Sequence, residues 1–206
     1  MVSKVMKKLI SAVAVLSSLF ILTACDAGVA AQVGDTKIAQ STVQSKVAEI
    51  LTERRKFDTS QMQVNVGEEL NRSELRFLLI SMIFEKIADD NGIKITQAMK
   101  DARKAEVYGN IGGIDNLSQA LVGAQMPPSD FDIYIKTLLI SDALIDKAKR
   151  AGVDEKNTGA AIQSLVKALT AKQGIKINPQ YGTWDPSNAD IVTFDAAGTA
   201  VKTLTA

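Results

Sequence analysis

The stretch LRFLLISMIFEKIADDNG, Leu75 to Gly92, decides the fold. Its apolar residues recur with the period of a helix. At about 100° per residue they fall on two sides: Leu75, Leu78, Leu79 and Met82 share one face, while Phe77, Ile80, Phe84 and Ile87 cluster roughly opposite. A helix with a single apolar stripe lies on a core. One that is apolar on two sides is either central in its domain or offers one side to something else. Upstream, Asn71 with Glu74 reads as the cap of this helix, and Asn91-Gly92 reads as its stop.

Working outward, a second helix of the same kind follows Pro127-Pro128-Ser129-Asp130. Phe131, Tyr134, Leu138 and Ile145 mark one side of it, and Ile133, Ile140 and Leu144 the other. Asp130 and Asp132 fall in the first turn, where acids are favoured. Between the two lie a helix beginning after Thr96, a turn at YGNIGG and a short helix from about Leu117 to Val122. The glycines of that turn lack the Lys-Ser/Thr and the preceding strand of a phosphate loop. On the N-terminal side, AAQVGDTKIA alternates about Gly34-Asp35 as a hairpin does. Ser41-x-x-Gln44 has the pattern of a capping box ahead of Val43, Val47, Ile50 and Leu51, and residues 58 to 70 read as a polar loop. On the C-terminal side, a helix from about Thr158 to Lys172 packs through Ile162, Leu165, Val166 and Leu169 and stops at Gly174. A strand at Ile175 and Ile177, the turn-rich NPQYGTWDPSN and a last strand DIVTF follow. The expected fold is mainly α, a multi-helix domain whose N- and C-terminal segments meet in a small sheet.

The beginning of the chain has a different character. Lys4, Lys7 and Lys8 precede the apolar run Leu9 to Leu22, which is short for a membrane span, and small residues follow it. This is the pattern of a secretory signal. Leu22-Thr23-Ala24-Cys25 resembles a bacterial lipobox, which implies diacylglycerol attachment to Cys25 and cleavage just before it. Cys25 is the only cysteine, and the chain has no histidine, so the thiol has no partner for catalysis, a disulfide or a metal site. The expected organisation is a signal peptide over 1–24, a short lipid-anchored tether over 25–30, the helical domain over 31–194 and a frayed tail over 195–206. The expected location is the extracytoplasmic face of a bacterial envelope membrane.

Composition narrows the function classes. The chain has 206 residues with 24 bases and 23 acids, and removing Lys4, Lys7 and Lys8 leaves 21 bases against 23 acids. That balance carries no footprint for nucleic acid. The basic runs Arg54-Arg55-Lys56 and Lys100 to Lys104 read as solvated helix faces. The acids Glu68-Glu69, Asp89-Asp90, Asp130 with Asp132, and Asp185, Asp190 and Asp195 read as caps, turns and solubilising groups, not as catalytic pairs. No calcium loop, nucleophile elbow or nucleotide fingerprint is present, so neither a cofactor nor an enzymatic activity is expected.

Three stretches resemble the N-terminal, peptide-binding domain of the SurA and PrsA class of extracytoplasmic foldases, a fold related to the trigger-factor C-terminal domain. VGDTKIAQSTV is similar to the opening strand and helix of that class, and LRFLLISMIFEKIADDNGIKIT to the next helix and the extended segment after it. GIKINPQYGTWD is similar to its exit strand, where relatives often carry a basic residue at the place held by Gln180. Many members continue into a parvulin prolyl-isomerase domain with active-site histidines, for which this chain has neither the length after Tyr181 nor the histidines. The resemblance therefore implies a membrane-anchored chaperone that binds unfolded or secreted polypeptides without isomerase activity. Its peptide-binding candidates are Phe77, Ile80, Phe84, Phe131, Tyr134 and Leu138, on helix sides that a groove would leave uncovered. The alternative reading is an accessory lipoprotein docking to one dedicated envelope complex through Tyr181, Trp184 and Pro179. For every one of these side chains, ordinary core packing is the competing role.

Overall fold

The computed structural model describes residues 28 to 193. The expectations for residues 1–24, for Cys25 and for the tail 195–206 lie outside that range. The described chain opens as an antiparallel hairpin of β1 (Val29–Val33) and β2 (Thr36–Ala39). It turns at Gly34-Asp35, with Gly34 at φ 57°, the left-handed conformation such a turn asks for. β2 runs directly into α1 (Gln40–Arg54), so extended Ala39 takes the cap position and the box at Ser41 does not form.

α2 (Gly67–Asp90) begins earlier than the sequence indicated. Gly67 has φ 55° behind extended Val66, and Glu68 and Glu69 place negative charge in the first turn. Asn71 lies inside the helix and donates its side-chain N–H to the Gly67 carbonyl at 2.9 Å. The helix stops where expected, at Asn91 and Gly92, with Gly92 at φ 67°. α3 (Gln97–Asn110) is capped by Thr96, whose hydroxyl accepts from Met99 N at 3.3 Å, and it extends through Tyr108 to Asn110 before the glycines turn the chain. After α4 (Leu117–Gly123), the 3-10 turn Pro128–Asp130 leads into α5 (Phe131–Arg150). α6 (Thr158–Gln173) ends at Gly174, with φ 74°.

β3 (Ile175–Ile177) pairs antiparallel with β1 on the side away from β2, setting Ala31 opposite Ile177 and Val33 opposite Ile175. The N- and C-terminal segments thus do meet in a small sheet. The last two strands do not extend it. β4 (Thr183–Asp185) lies inside the stretch expected to be loop and forms a separate antiparallel hairpin with β5 (Asp190–Val192), Trp184 opposite Ile191. Among the described residues, the architecture is six α-helices with two small antiparallel sheets.

α2 is the central element, in contact with α1, α5, α6, β1 and β5. That answers only part of the question its two stripes posed, because the Leu75–Leu79 stripe is packed while Phe77, Ile80 and Phe84 are only half-buried. Leu75, Leu79 and Ile83 are buried on one side, with Ile87 buried at the edge of that arc, and Glu74, Ser81 and Ala88 are buried on another. A second apolar cluster of Leu121, Phe131, Ile135 and Leu139 fills the space that α5 shares with α3 and α4. α3 is held on α5 by Lys100 and Lys104 to Asp132, at 2.7 and 2.6 Å, and by Arg103 to Asp142 at 2.5 Å. The basic run at 100–104 is therefore turned toward α5. The reading of a simply solvated face is corrected by acids on the neighbouring helix that the local pattern could not reveal.

α2 and α5 run in the same direction. Ser81 and Thr137 share a hydroxyl hydrogen bond at 3.1 Å, and Lys147 donates to Asn91 Oδ1 at 2.9 Å, both across 56 residues. Glu74 faces Asp130 at that same offset. A constant difference in residue number means parallel axes, since in an antiparallel pair the sum would be constant. The facing polar residues are seven positions apart, Glu74 and Ser81 against Asp130 and Thr137, and the next step of seven reaches Ala88 and Leu144, both buried in the main core. This is the spacing of layers in a parallel coiled coil.

Candidate functional site

The parallel pair also settles how the peptide-binding candidates lie relative to one another. Taking the line Glu74, Ser81, Ala88 as the direction in which α2 faces α5, Phe77, Phe84 and Ile80 sit at about −40°, −60° and −100° around the helix. On α5, measured from Asp130, Thr137 and Leu144, Tyr134 and Leu138 sit at about +60° and +100°. Two parallel helices face in opposite directions, so opposite signs denote the same side of the pair. Glu85 and Lys136 occupy the other side by the same reckoning, and they do pair, at 2.7 Å. Phe77, Ile80, Phe84, Tyr134 and Leu138 therefore share one side of the α2–α5 seam, and all five are half-buried.

Their surroundings differ. Ile80 and Phe84 pack against the main core, and Tyr134 against the second cluster. Phe77 and Leu138 belong to neither cluster. Phe131 must be withdrawn from the contact set, because it is buried and stacks on Tyr108 with ring centroids 6.0 Å apart. The cause is α3, which lies against that side of α5.

The docking candidates of the last loop meet a similar fate. Tyr181 is buried, and its carbonyl accepts from Arg72 Nε at 3.0 Å. Trp184, on β4 of the last hairpin, is half-buried against the main core. Arg76 fixes this hairpin to α2 through the Asp190 carboxylate and the Ile191 carbonyl. Of the loop candidates only Pro179 and the flanking Gln180 keep appreciable exposure.

A group of residues that the sequence reading placed elsewhere occupies the N-terminal end of the seam. Asp130 is fully buried and Glu74 is 3% exposed. From α1, Lys46 forms an ion pair with Asp130 and donates to Ser129 Oγ at 2.7 Å. Glu49, also on α1, accepts from Ser129 N at 2.9 Å and from its hydroxyl. Lys46 covers Asp130 Oδ1 as an ion pair, while Asp130 Oδ2 and Glu74 Oε1 are buried without a hydrogen-bond partner. Burial raises the Glu74 pKa to about 9, the neighbouring Asp130 pushes it the same way, Lys46 pulls against them, and Glu49 adds a smaller push upward. Glu74 had read as a cap partner and Asp130 as a first-turn acid. The signal that finds them together is the seven-residue spacing of polar residues, Glu74 to Ser81 and Asp130 to Thr137.

Arg54 likewise departs from its reading as part of a solvated face. It is buried and donates to the Asn65 carbonyl at 2.7 Å and to Gln125 Oε1 at 2.9 Å. Gln125, at φ 58°, also accepts from Asn65 N at 2.5 Å, so this clamp ties the loop after α1 to the end of α4. Among the described residues no group of acids has the arrangement of a metal site, and no helix is long and apolar enough to cross a membrane. No family model, curated protein or solved structure matches the chain.

Proposed function

We propose that this protein is a lipid-anchored extracytoplasmic chaperone that holds unfolded or newly secreted polypeptides without isomerase activity, on a fold of the SurA N-terminal type. The observation that carries the reading is the half-buried row on one side of the α2–α5 seam, formed by Phe77, Ile80, Phe84, Tyr134 and Leu138. Aromatic and aliphatic side chains of mixed shape can cover varied apolar segments of a client without demanding one sequence. The strand and helix that open the domain, and the exit strand that returns beside β1, support the fold type. Signal and lipobox supply the location.

Phe77 and Leu138 make the sharpest test, since neither joins an apolar cluster. The wild-type chain should suppress aggregation of several unrelated denatured proteins. Phe77→Ser with Leu138→Ser should weaken that suppression about tenfold, while unfolding free energy falls by no more than about 1 kcal/mol each, the size of a substitution outside the core. Were they core residues, the truncations would cost roughly 3 to 5 kcal/mol at Phe77 and roughly 2 to 5 kcal/mol at Leu138. Failure of the wild type to protect any unrelated client removes the chaperone reading.

A further inference from the structure

The Glu74–Asp130 layer differs from every other contact of the α2–α5 seam in having more buried acid than buried base. The charged groups facing Glu74 are Lys46 and Glu49 from α1 and Asp130 from the turn before α5. Lys46 is committed to Asp130 and Ser129, and Glu49 is bound to Ser129. With both carboxyls ionised, the one cation present, Lys46, is already on Asp130 Oδ1, and Glu74 Oε1 and Asp130 Oδ2 are buried without a donor. Two carboxylates at this separation from solvent cannot both remain charged without strong repulsion, whereas one proton turns the pair into a donor and an acceptor. Neither carboxyl can swing out to solvent without separating helices, because one is on central α2 and the other begins α5.

We propose that this layer is a proton-dependent lock on the register of the parallel helix pair. A proton kept on Glu74 and turned toward the Asp130 carboxylate holds α1, α2 and the turn before α5 together, and losing it loosens that end of the bundle. A polar layer at one heptad position is a known means of fixing alignment in parallel helices, and here the alignment becomes conditional on protonation. Phe77 and Tyr134 lie one turn further along the two helices, so loosening the lock alters the apolar row where it begins.

The direction of the pH dependence follows from linkage. Glu74 holds its proton in the folded protein to a higher pH than in the unfolded chain, so the folded state binds the extra proton between the ordinary glutamate range and about pH 9. Stability from this group is complete below that window and declines as pH rises through it, by roughly tenfold in the folding equilibrium constant per pH unit. Glu74→Gln keeps a donor toward Asp130 and cannot titrate. Denaturant titrations of the full chain between about pH 5 and about pH 9 should give the wild type a folding constant that falls about tenfold more per unit than that of E74Q. Hydrogen exchange in α1 and at residues 128–131 should accelerate with pH beyond the intrinsic rate in the wild type alone. Should E74Q fail to fold, wild-type protein labelled with carboxyl-13C glutamate reads the same group, and one glutamate should titrate far above the rest, moving higher still in Lys46→Met. Equal pH slopes for wild type and E74Q, or glutamates that all titrate in the ordinary range, overturn the proposal.

Discussion

At the scale of single residues, the tightest steric demand is made by Gly182. It is buried at φ 123°, and a Cβ on it would stand 2.1 Å from the Val192 carbonyl oxygen. That oxygen belongs to backbone in the β4–β5 hairpin and cannot rotate away as a side chain could. Gly182→Ala should therefore cost about 3 kcal/mol, combining a strained backbone with a forced shift of the strand. Chemical denaturation monitored by Trp184, which lies in the same hairpin, is the natural measurement. A cost below about 0.5 kcal/mol would mean that the hairpin does not close as described. The sequence marked this region only as turn-rich. Nothing in NPQYGTWDPSN distinguishes a glycine in an open loop from one pressed against a partner strand ten residues on.

At the scale of elements, the second polar layer offers a quantitative test of the parallel seam. Thr137 donates to or accepts from Ser81 while also lying 2.9 Å from the Ile133 carbonyl, so its hydroxyl keeps a partner if Ser81 is removed. Ser81→Ala and Thr137→Val should each cost about 1 kcal/mol, with a coupling of about 0.5 to 1 kcal/mol in the double variant. Additive costs would deny the contact and with it the offset that aligns the helices. Helix punctuation was legible because it is local: Thr96, Asn91-Gly92, Pro128 and Gly174 act on backbone groups within a few residues. The start of α2 was not, because Glu68 and Glu69 look like loop residues until the helix dipole gives their charge a place. Nor was the split between core and surface on α2 and α5. The periodicity located apolar residues, but a helix packed on several sides buries Leu79 and Ser81 alike, and only tertiary contacts decide which stripe stays half-open.

At the scale of the whole molecule, the question is how the folded part relates to its anchor. β1, the middle strand of its sheet, begins at Val29, and four residues from Cys25 span at most ~14 Å. An anchor at Cys25 would hold the three-stranded sheet beside the lipid surface and load its best-supported strand, paired on one edge to β2 and on the other to β3. The expected mature N-terminus is acylated Cys25, and mass spectrometry of the membrane fraction would identify it. A free N-terminal residue at another position would sink the lipoprotein reading. Cys25→Ala should shift the protein from membrane to soluble fractions, since two acyl chains at ~0.8 kcal/mol per buried methylene account for lasting attachment. The apolar row on α2 and α5 is built without that residue. The released variant should consequently protect denatured clients in solution as well as wild type does at the same concentration. If protection vanished along with the anchor while the fold survived, binding would belong to the membrane-proximal end and not to the helix seam.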